Sequence, residues 1–332
     1  MRIIALEEHV SFPELIQRIA PELITGRGWP LPDDPESPLQ RVQPQLQEVG
    51  PRRLQAMDAA GITMQVLSVS GAGADLLSAE EGPQLARDYN DAVARKIAEN
   101  PARFAGFAHL PMTAPEAAAD ELERTVRELG YCGAMINGLT ENRFLDDPKF
   151  APLLQRAEQL EVPLYLHPNI PPALVRQTYY EGLPPALSTQ LGMAGIGWHI
   201  ETAVHVLRLV LSGTFERYPR LQLIIGHMGE TLPMLMARCD SIFQPKMTGL
   251  SRTISETLQQ QVYITTSGIF TQPPLQAAIA TFGIDRVLFS VDYPFSTNDQ
   301  GRAFLDAMAL APADVAKIAH GNADRLLKLP VQ

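Results

Sequence analysis

The run IIALEEH, residues 3–9, decides the fold. Ile3 to Leu6 is apolar without interruption, as in a strand covered on both faces. It then stops in three ionisable side chains, Glu7, Glu8 and His9. A buried strand that finishes in charge suits the wall of a parallel barrel, because such barrels build their sites where the strands end. Side chains at i and i+2 share one face of a strand. Glu7 and His9 are therefore expected to point together, and Glu8 away from them.

The same pattern recurs seven times: MQVLSVS (64–70), RFAGFAHLP (103–111), CGAMING (132–138), VPLYLHP (162–168), LQLIIGHMG (221–229), VYITTSG (262–268) and RVLFSVDYPF (286–295). Helical segments lie between them. PRRLQAMDAAG (51–61) stops at Gly, and APEAAADELERTVRELG (114–130) opens on Pro and acid and closes on Gly, as helices do at their two ends. Eight strands alternating with helices predict an α/β fold, a (β/α)8 TIM barrel, with residues 1–332 as a single domain. The 332 residues exceed the roughly 250 of a plain barrel, leaving room for insertions. Two stretches rich in Pro, Gly or polar residues, 26–50 and 168–197, follow strands and are expected over the C-terminal face as lids or substrate walls.

Composition narrows the class. Hydrophobic residues make up 45% and charged residues 19%, which suits a chain with a large core. A net charge of −10 argues against nucleic acid or an anionic membrane surface as partner. Cys132 and Cys239 are too few for a disulfide scaffold or a thiolate cluster. The N-terminus does not read as a signal peptide, and no apolar run is long enough to cross a bilayer, so a cytoplasmic location is expected.

The predicted strand ends carry the chemistry. They bring Glu7, Glu8 and His9, then His109, Asn137, His167, His227, the Thr266–Ser267 pair and Asp292. Four of the seven histidines fall in this set. Taken singly, a strand-end His is more often a hydrogen-bonded structural residue, and Asp292 before Tyr-Pro reads equally as a turn cap. Together, Glu7, His9, His167 and Asp292 offer two nitrogens and two carboxylates from strands one, five and eight. Strands one and eight are neighbours in a closed barrel. That set suits Zn2+ or Mn2+, and also Mg2+, with positions left open for substrate. Glu8 is expected to make a supporting contact. None of the five lysines sits at a predicted strand end, which favours one metal over a pair bridged by a carboxylated lysine.

ALEEH (5–9), YLHP (165–168), ETAVHVLRLVLSGTFERYPRLQLIIGHMGE (201–230), ITTSG (264–268) and FSVDYPF (289–295) together resemble the amidohydrolase-related decarboxylases. Within them the likeness is to the ortho-hydroxybenzoate type, such as the γ-resorcylate and 2,3-dihydroxybenzoate decarboxylases. The resemblance spans most of the chain. It implies a metal-dependent barrel that removes CO2 from an aromatic acid without an organic cofactor and assembles as a homodimer or homotetramer. It also implies Glu7, His9, His167 and Asp292 as metal ligands, Asp292 as proton donor, and His227 with Glu230 as the polar pair beside the substrate. Arg238 is implied near the substrate, in its own or a neighbouring subunit's site, and Phe295 as an aromatic wall. Asn137 and His109 are further expected substrate contacts. His109 departs from the pattern, since FAHLP has a His where a small residue is expected, and structural and functional readings of it stand level. A hydrolase or hydratase acting on a lactone, ester or unsaturated acid is the alternative. The Glu-x-His start disfavours it, since hydrolytic relatives more often begin His-x-His. A catalytically dead binding barrel is the third reading, but no ligand position looks lost.

Overall fold

Eight parallel strands form the centre of the computed structural model, which describes residues 1–329 apart from 32, 33, 35, 36 and 38. They are β1 (Ile4–Val10), β2 (Met64–Val69), β3 (Phe104–Gly106, continued at Ala108–His109), β4 (Ala134–Asn137), β5 (Leu164–His167), β6 (Leu223–Ile225), β7 (Val262–Thr265) and β8 (Val287–Leu288). Each pairs in parallel with its successor. At the interruption in β3 the hydrogen bonds change partner. Phe107 N–H still donates to Leu67 of β2, while Ala108 N–H donates to Gly133 beside β4, both at 2.9 Å. The fold is the expected TIM barrel.

No strand ladder joins β8 to β1 among the described residues. That seam is closed by other bonds. His9 N–H donates to the Tyr293 carbonyl (2.8 Å), and Glu7 N–H to Ser290 Oγ (2.7 Å). The Glu8 carboxylate accepts from Val291 N–H (2.9 Å) and Tyr293 N–H (3.3 Å).

The side chains sort into two cores. Ile4, Leu6, Met64, Val66, Phe107, Met135, Tyr165, Ile224, Tyr263 and Leu288 fill the barrel interior, at least one from each strand, and Leu327 and Leu329 join them. The larger cluster lies between the strands and the helices around them. Eight helices follow the strands: α1 (Pro51–Ala60), α2 (Gly82–Glu99), α3 (Pro115–Leu129), α4 (Ala151–Leu160), α5 (Gly197–Leu211), α6 (Leu232–Ile242), α7 (Gln272–Phe282) and α8 (Asn298–Asp306). Pro opens α1 and α3, and each ends at a left-handed Gly, Gly61 or Gly130, which has no Cβ to clash. A Thr297–Gln300 capping box starts α8.

The insertions are more regular than their composition suggests. Part of the 26–50 stretch lies outside the described residues. Its described end holds a short helix, Gln43–Gln47, whose Leu46 carbonyl accepts Ser11 N–H at 2.9 Å. The 168–197 stretch contains helices Ala173–Tyr179 and Pro185–Gln190 and a π-helical turn, Leu191–Gly195, that leads into α5. No helix among the described residues is long and apolar enough to cross a membrane.

Candidate active site

β1 delivers its charges through a bulge. Ala5 pairs with Gln65 but Glu8 with Leu67, so β1 takes three steps where β2 takes two. Ile4 and Leu6 face the barrel interior. Unbroken alternation would aim Glu8 inward after them. The extra residue shifts the parity, and Glu7 points in instead. Its Oε2 accepts hydrogen bonds from Tyr165 and Ser267 hydroxyls across the barrel. Its Oε1 has no hydrogen-bond partner and lies 3.2 Å from His167 Nε2. His9 is fixed by Nδ1 against Ser68 Oγ (3.2 Å), while its buried Nε2 makes no aligned hydrogen bond and stands 3.2 Å from Asp292 Oδ1. Two buried, unpaired ligand atoms, one oxygen and one nitrogen, face His167 and Asp292. Glu7, His9 and His167 can bring ligand atoms within 4.8 Å of one another, and this mixed oxygen and nitrogen set fits a divalent ion.

Asp292 sits in the left-handed region at φ 69°. Glu8 holds the N–H groups of both residues flanking it. Buried Arg53 adds a bond to the His9 carbonyl at 2.7 Å. Burial pushes the Glu8 carboxyl up to about 8, although those N–H groups and Arg53 pull the other way.

The β6 end is a tight turn. His227, Met228, Gly229, Glu230 and Thr231 all have positive φ, between 50° and 87°. Successive left-handed residues other than Gly are strained, and such strain gathers at functional sites. The turn puts His227 Nδ1 2.7 Å from Glu230 Oε1 and leaves His227 Nε2 3.9 Å from both Glu7 Oε1 and Asp292 Oδ2. Burial disfavours a charged His227, but Glu230, Glu7 and Asp292 outweigh it and lift its pKa well above the usual value. Burial likewise opposes the ionised Glu230, and His227 and His199 more than compensate.

A cleft of about 460 Å³ opens above these groups. His227, Glu230 and Asp292 line it, with Trp198, His199 and Phe295 as its ring-bearing walls. Phe295 packs edge-on to His9 at 5.6 Å between centroids. The insertion supplies Ala194, Gly195 and Ile196 to this lining, and Trp198 and His199 follow it at the start of α5.

A family model described as amidohydrolase matches residues 27–329. The chain belongs to the amidohydrolase family. Among curated proteins, the γ-resorcylate decarboxylase of Rhizobium sp. (strain MTP-10005) is 37% identical over 338 residues, covering 98% of each chain. Among solved structures, 2,6-dihydroxybenzoate decarboxylase complexed with 2,6-dihydroxybenzoate superposes with a TM-score of 0.86 at 35% identity, over 99% of each chain. The dihydroxybenzoic acid decarboxylase of Polaromonas sp. JS666, with bound manganese and 2-nitroresorcinol, gives 0.85 at 34%, over 100% of this chain and 98% of that one.

Other expected contacts of this amidohydrolase fall elsewhere. His109 is not in the cleft. Its Nε2 accepts Ala74 N–H at 2.9 Å and its ring packs on Tyr89, so it braces the loop after β2. Asn137 does not line the cleft either, and its carbonyl accepts from Asn169 Nδ2 at 2.8 Å. Arg238 is exposed on α6, away from its own chain's cleft. Two ring-bearing lining residues, Trp198 and His199, escaped the sequence reading altogether. His199 stands in the first turn of α5, not at a strand end. The available signal was its position just after an insertion over the C-terminal face.

Proposed function

We propose that this protein removes CO2 from an aromatic acid with a hydroxyl ortho to the carboxylate, using one divalent ion held by Glu7, His9, His167 and Asp292. The observation that carries this reading is the pair of buried, unpartnered atoms, Glu7 Oε1 beside His167 and His9 Nε2 beside Asp292, with Asp292 on the lining of a cleft walled by rings. The substrate class is taken from the decarboxylases that resemble the chain along its whole length.

Loss of CO2 from an aryl carboxylate leaves an electron pair in the ring plane, which is costly. Protonating the ring carbon first avoids this, and an electron-rich ortho oxygen makes that carbon basic. Lewis-acid polarisation of the carboxylate and the ortho oxygen is what a bound Zn2+, Mn2+ or Mg2+ supplies. Asp292 takes the proton of the ortho hydroxyl and delivers it to the ring carbon that bears the carboxylate. The bond to CO2 then breaks and its electron pair restores the aromatic ring, leaving a phenolate that takes one proton from water to give the phenol. His227, its Nδ1 on Glu230, presents Nε2 toward the same point and holds the ortho oxygen by a hydrogen bond. Phe295 and Trp198 pack on the ring and exclude water. No organic cofactor enters. The chain acts in the cytoplasm as a homodimer or homotetramer, with Arg238 offered to the neighbouring subunit's site.

The purified protein is expected to carry about one divalent ion per chain and to release CO2 from at least one 2-hydroxybenzoate. Asp292→Asn is expected to abolish turnover, with ligation kept through the remaining amide oxygen. Turnover of a lactone or ester, with every ortho-hydroxy aryl acid left untouched, would overturn the reading.

A further inference from the structure

His199 does more than line the cleft. Its Nδ1 lies 2.6 Å from Glu230 Oε2, while the other oxygen of that carboxylate holds His227 Nδ1 at 2.7 Å. The rings of His199 and His227 stand edge-to-face at 4.6 Å. On the other side, Trp198 Nε1–H donates to His199 Nε2 at 3.1 Å. The Ala194 carbonyl faces the same Nε2 at 3.2 Å, and because an ionised Glu230 can only accept, it is Nδ1–H that donates to Oε2. Glu230 is 1% exposed, so neither oxygen finds water if an imidazole leaves it. The resulting chain runs Trp198, His199, Glu230, His227. It links the start of α5, just after the second insertion, to the strained turn after β6.

We propose that His199 is a positioning residue for the decarboxylation: by holding Glu230 Oε2 it fixes the carboxylate plane, and through Oε1 the ring of His227, so that the cleft wall and the turn carrying His227 set one another's geometry. A carboxylate held at one oxygen rotates about its terminal torsion, which has a broad energy well. Held at both, it has one orientation, and His227 Nε2 stays aimed between Glu7 and Asp292. A tether from the wall has a second effect. A substrate ring seated against Trp198 presses on the residue that orders His227, so ring binding and the readiness of His227 rise together.

This inference rests on the decarboxylase reading for its kinetic arm only. His199→Phe keeps a ring in place but removes the donor, and His199→Asn keeps an N–H close to the position of Nδ1. With the most active 2-hydroxybenzoate, His199→Phe is expected to lower kcat by about 10- to 100-fold with KM within about threefold, a loss of the size that small misplacements at reacting centres produce. His199→Asn is expected to recover most of that loss. Metal content and Tm are expected to match the parent in both. A kcat loss under twofold in His199→Phe, or equal losses in both variants, overturns the role. The second arm is independent of turnover. In spectra of protein labelled with 15N-histidine, the downfield Nδ1–H resonance of His227 is expected to survive in His199→Asn and to broaden or vanish in His199→Phe. An unchanged resonance in His199→Phe overturns the tether even if the parent proves to act on another substrate class.

Discussion

His109 and His205 are imidazoles that the fold keeps neutral. His109 Nε2 accepts Ala74 N–H at 2.9 Å and His205 Nε2 accepts Leu145 N–H at 2.7 Å, which requires both nitrogens bare. Burial pushes His109 down to about 4, and burial with the nearby Arg208 pushes His205 down to about 3. An unfolded histidine takes its proton near pH 6.5. Between that value and the folded ones the unfolded chain binds more protons, so this contribution is complete above pH 6.5 and is lost as pH falls. By pH 5 each histidine withdraws about 2 kcal/mol. His205→Gln keeps an acceptor for Leu145 N–H but cannot take up that proton. In urea unfolding, its stability is expected to fall about 2 kcal/mol less than the parent's between pH 7 and pH 5, and equal falls would sink this account. At this scale the sequence was legible where a residue's role follows from its strand. Glu7, His9, His167 and Asp292 converge because strand ends converge. His109 takes the structural one of its two level readings, because a strand-end histidine can turn to a neighbouring loop N–H as readily as to the barrel mouth, and His199 was missed because it rides on a helix.

Glu8 shows what a single element does for the closed ring. It lies on the face of β1 opposite Glu7 and accepts two backbone N–H groups from the segment after β8, where no ladder exists among the described residues. Glu8→Gln keeps one accepting oxygen but turns an NH2 group toward donors, among them Gln65 Nε2, now 3.3 Å from Oε2. A buried donor left facing donors costs about 1–3 kcal/mol. Above about pH 8, where Glu8 is ionised, the variant is therefore expected to unfold at lower urea by that amount and, with Asp292 less firmly held, to lose kcat. A variant as stable as the parent would remove the carboxylate from its assigned place in the seam. The strands themselves were readable as apolar runs, since a both-faces-buried strand has little other way to be composed. The bulge in β1 was not, because it depends on the register against β2 and leaves no mark in β1 alone. The helices inside 168–197 were hidden by prolines that open them, at Pro185 for instance, and that read as loop formers when counted by composition.

The whole molecule presents apolar side chains where a lone barrel has no need of them. On α6 and just after it, Met234, Leu235 and Met247 are 79%, 49% and 71% exposed. Ile196, Ile200 and Val204 stand out in the neighbouring unit, and Arg238 lies among the first set. A stable pair of subunits needs about 800 Å² from each partner, and the exposed apolar side chains on α5 and α6 are the groups such a contact would bury. Sedimentation of the native protein is expected to show a dimer or tetramer. Met234→Glu with Leu235→Glu is expected to yield folded monomers with turnover reduced at least as far as by Arg238→Ala. A fully active native monomer at micromolar concentration would refute both the assembly and the shared arginine. The acidic balance and the βα rhythm were plain in the sequence, whereas faces of this kind emerge only when helices are wrapped around a ring. The seam between the first and last strands bears on how the chain is made. The strand that carries two carboxylates meant for burial is synthesised 283 residues before Val291, whose N–H is among the backbone groups that receive Glu8. Until those residues leave the ribosome the first strand has no finished berth, so barrel closure is a late event that completes fold and catalytic floor together. A chain cut short before Val291 is consequently expected to be unable to assemble even a weakened version of the site.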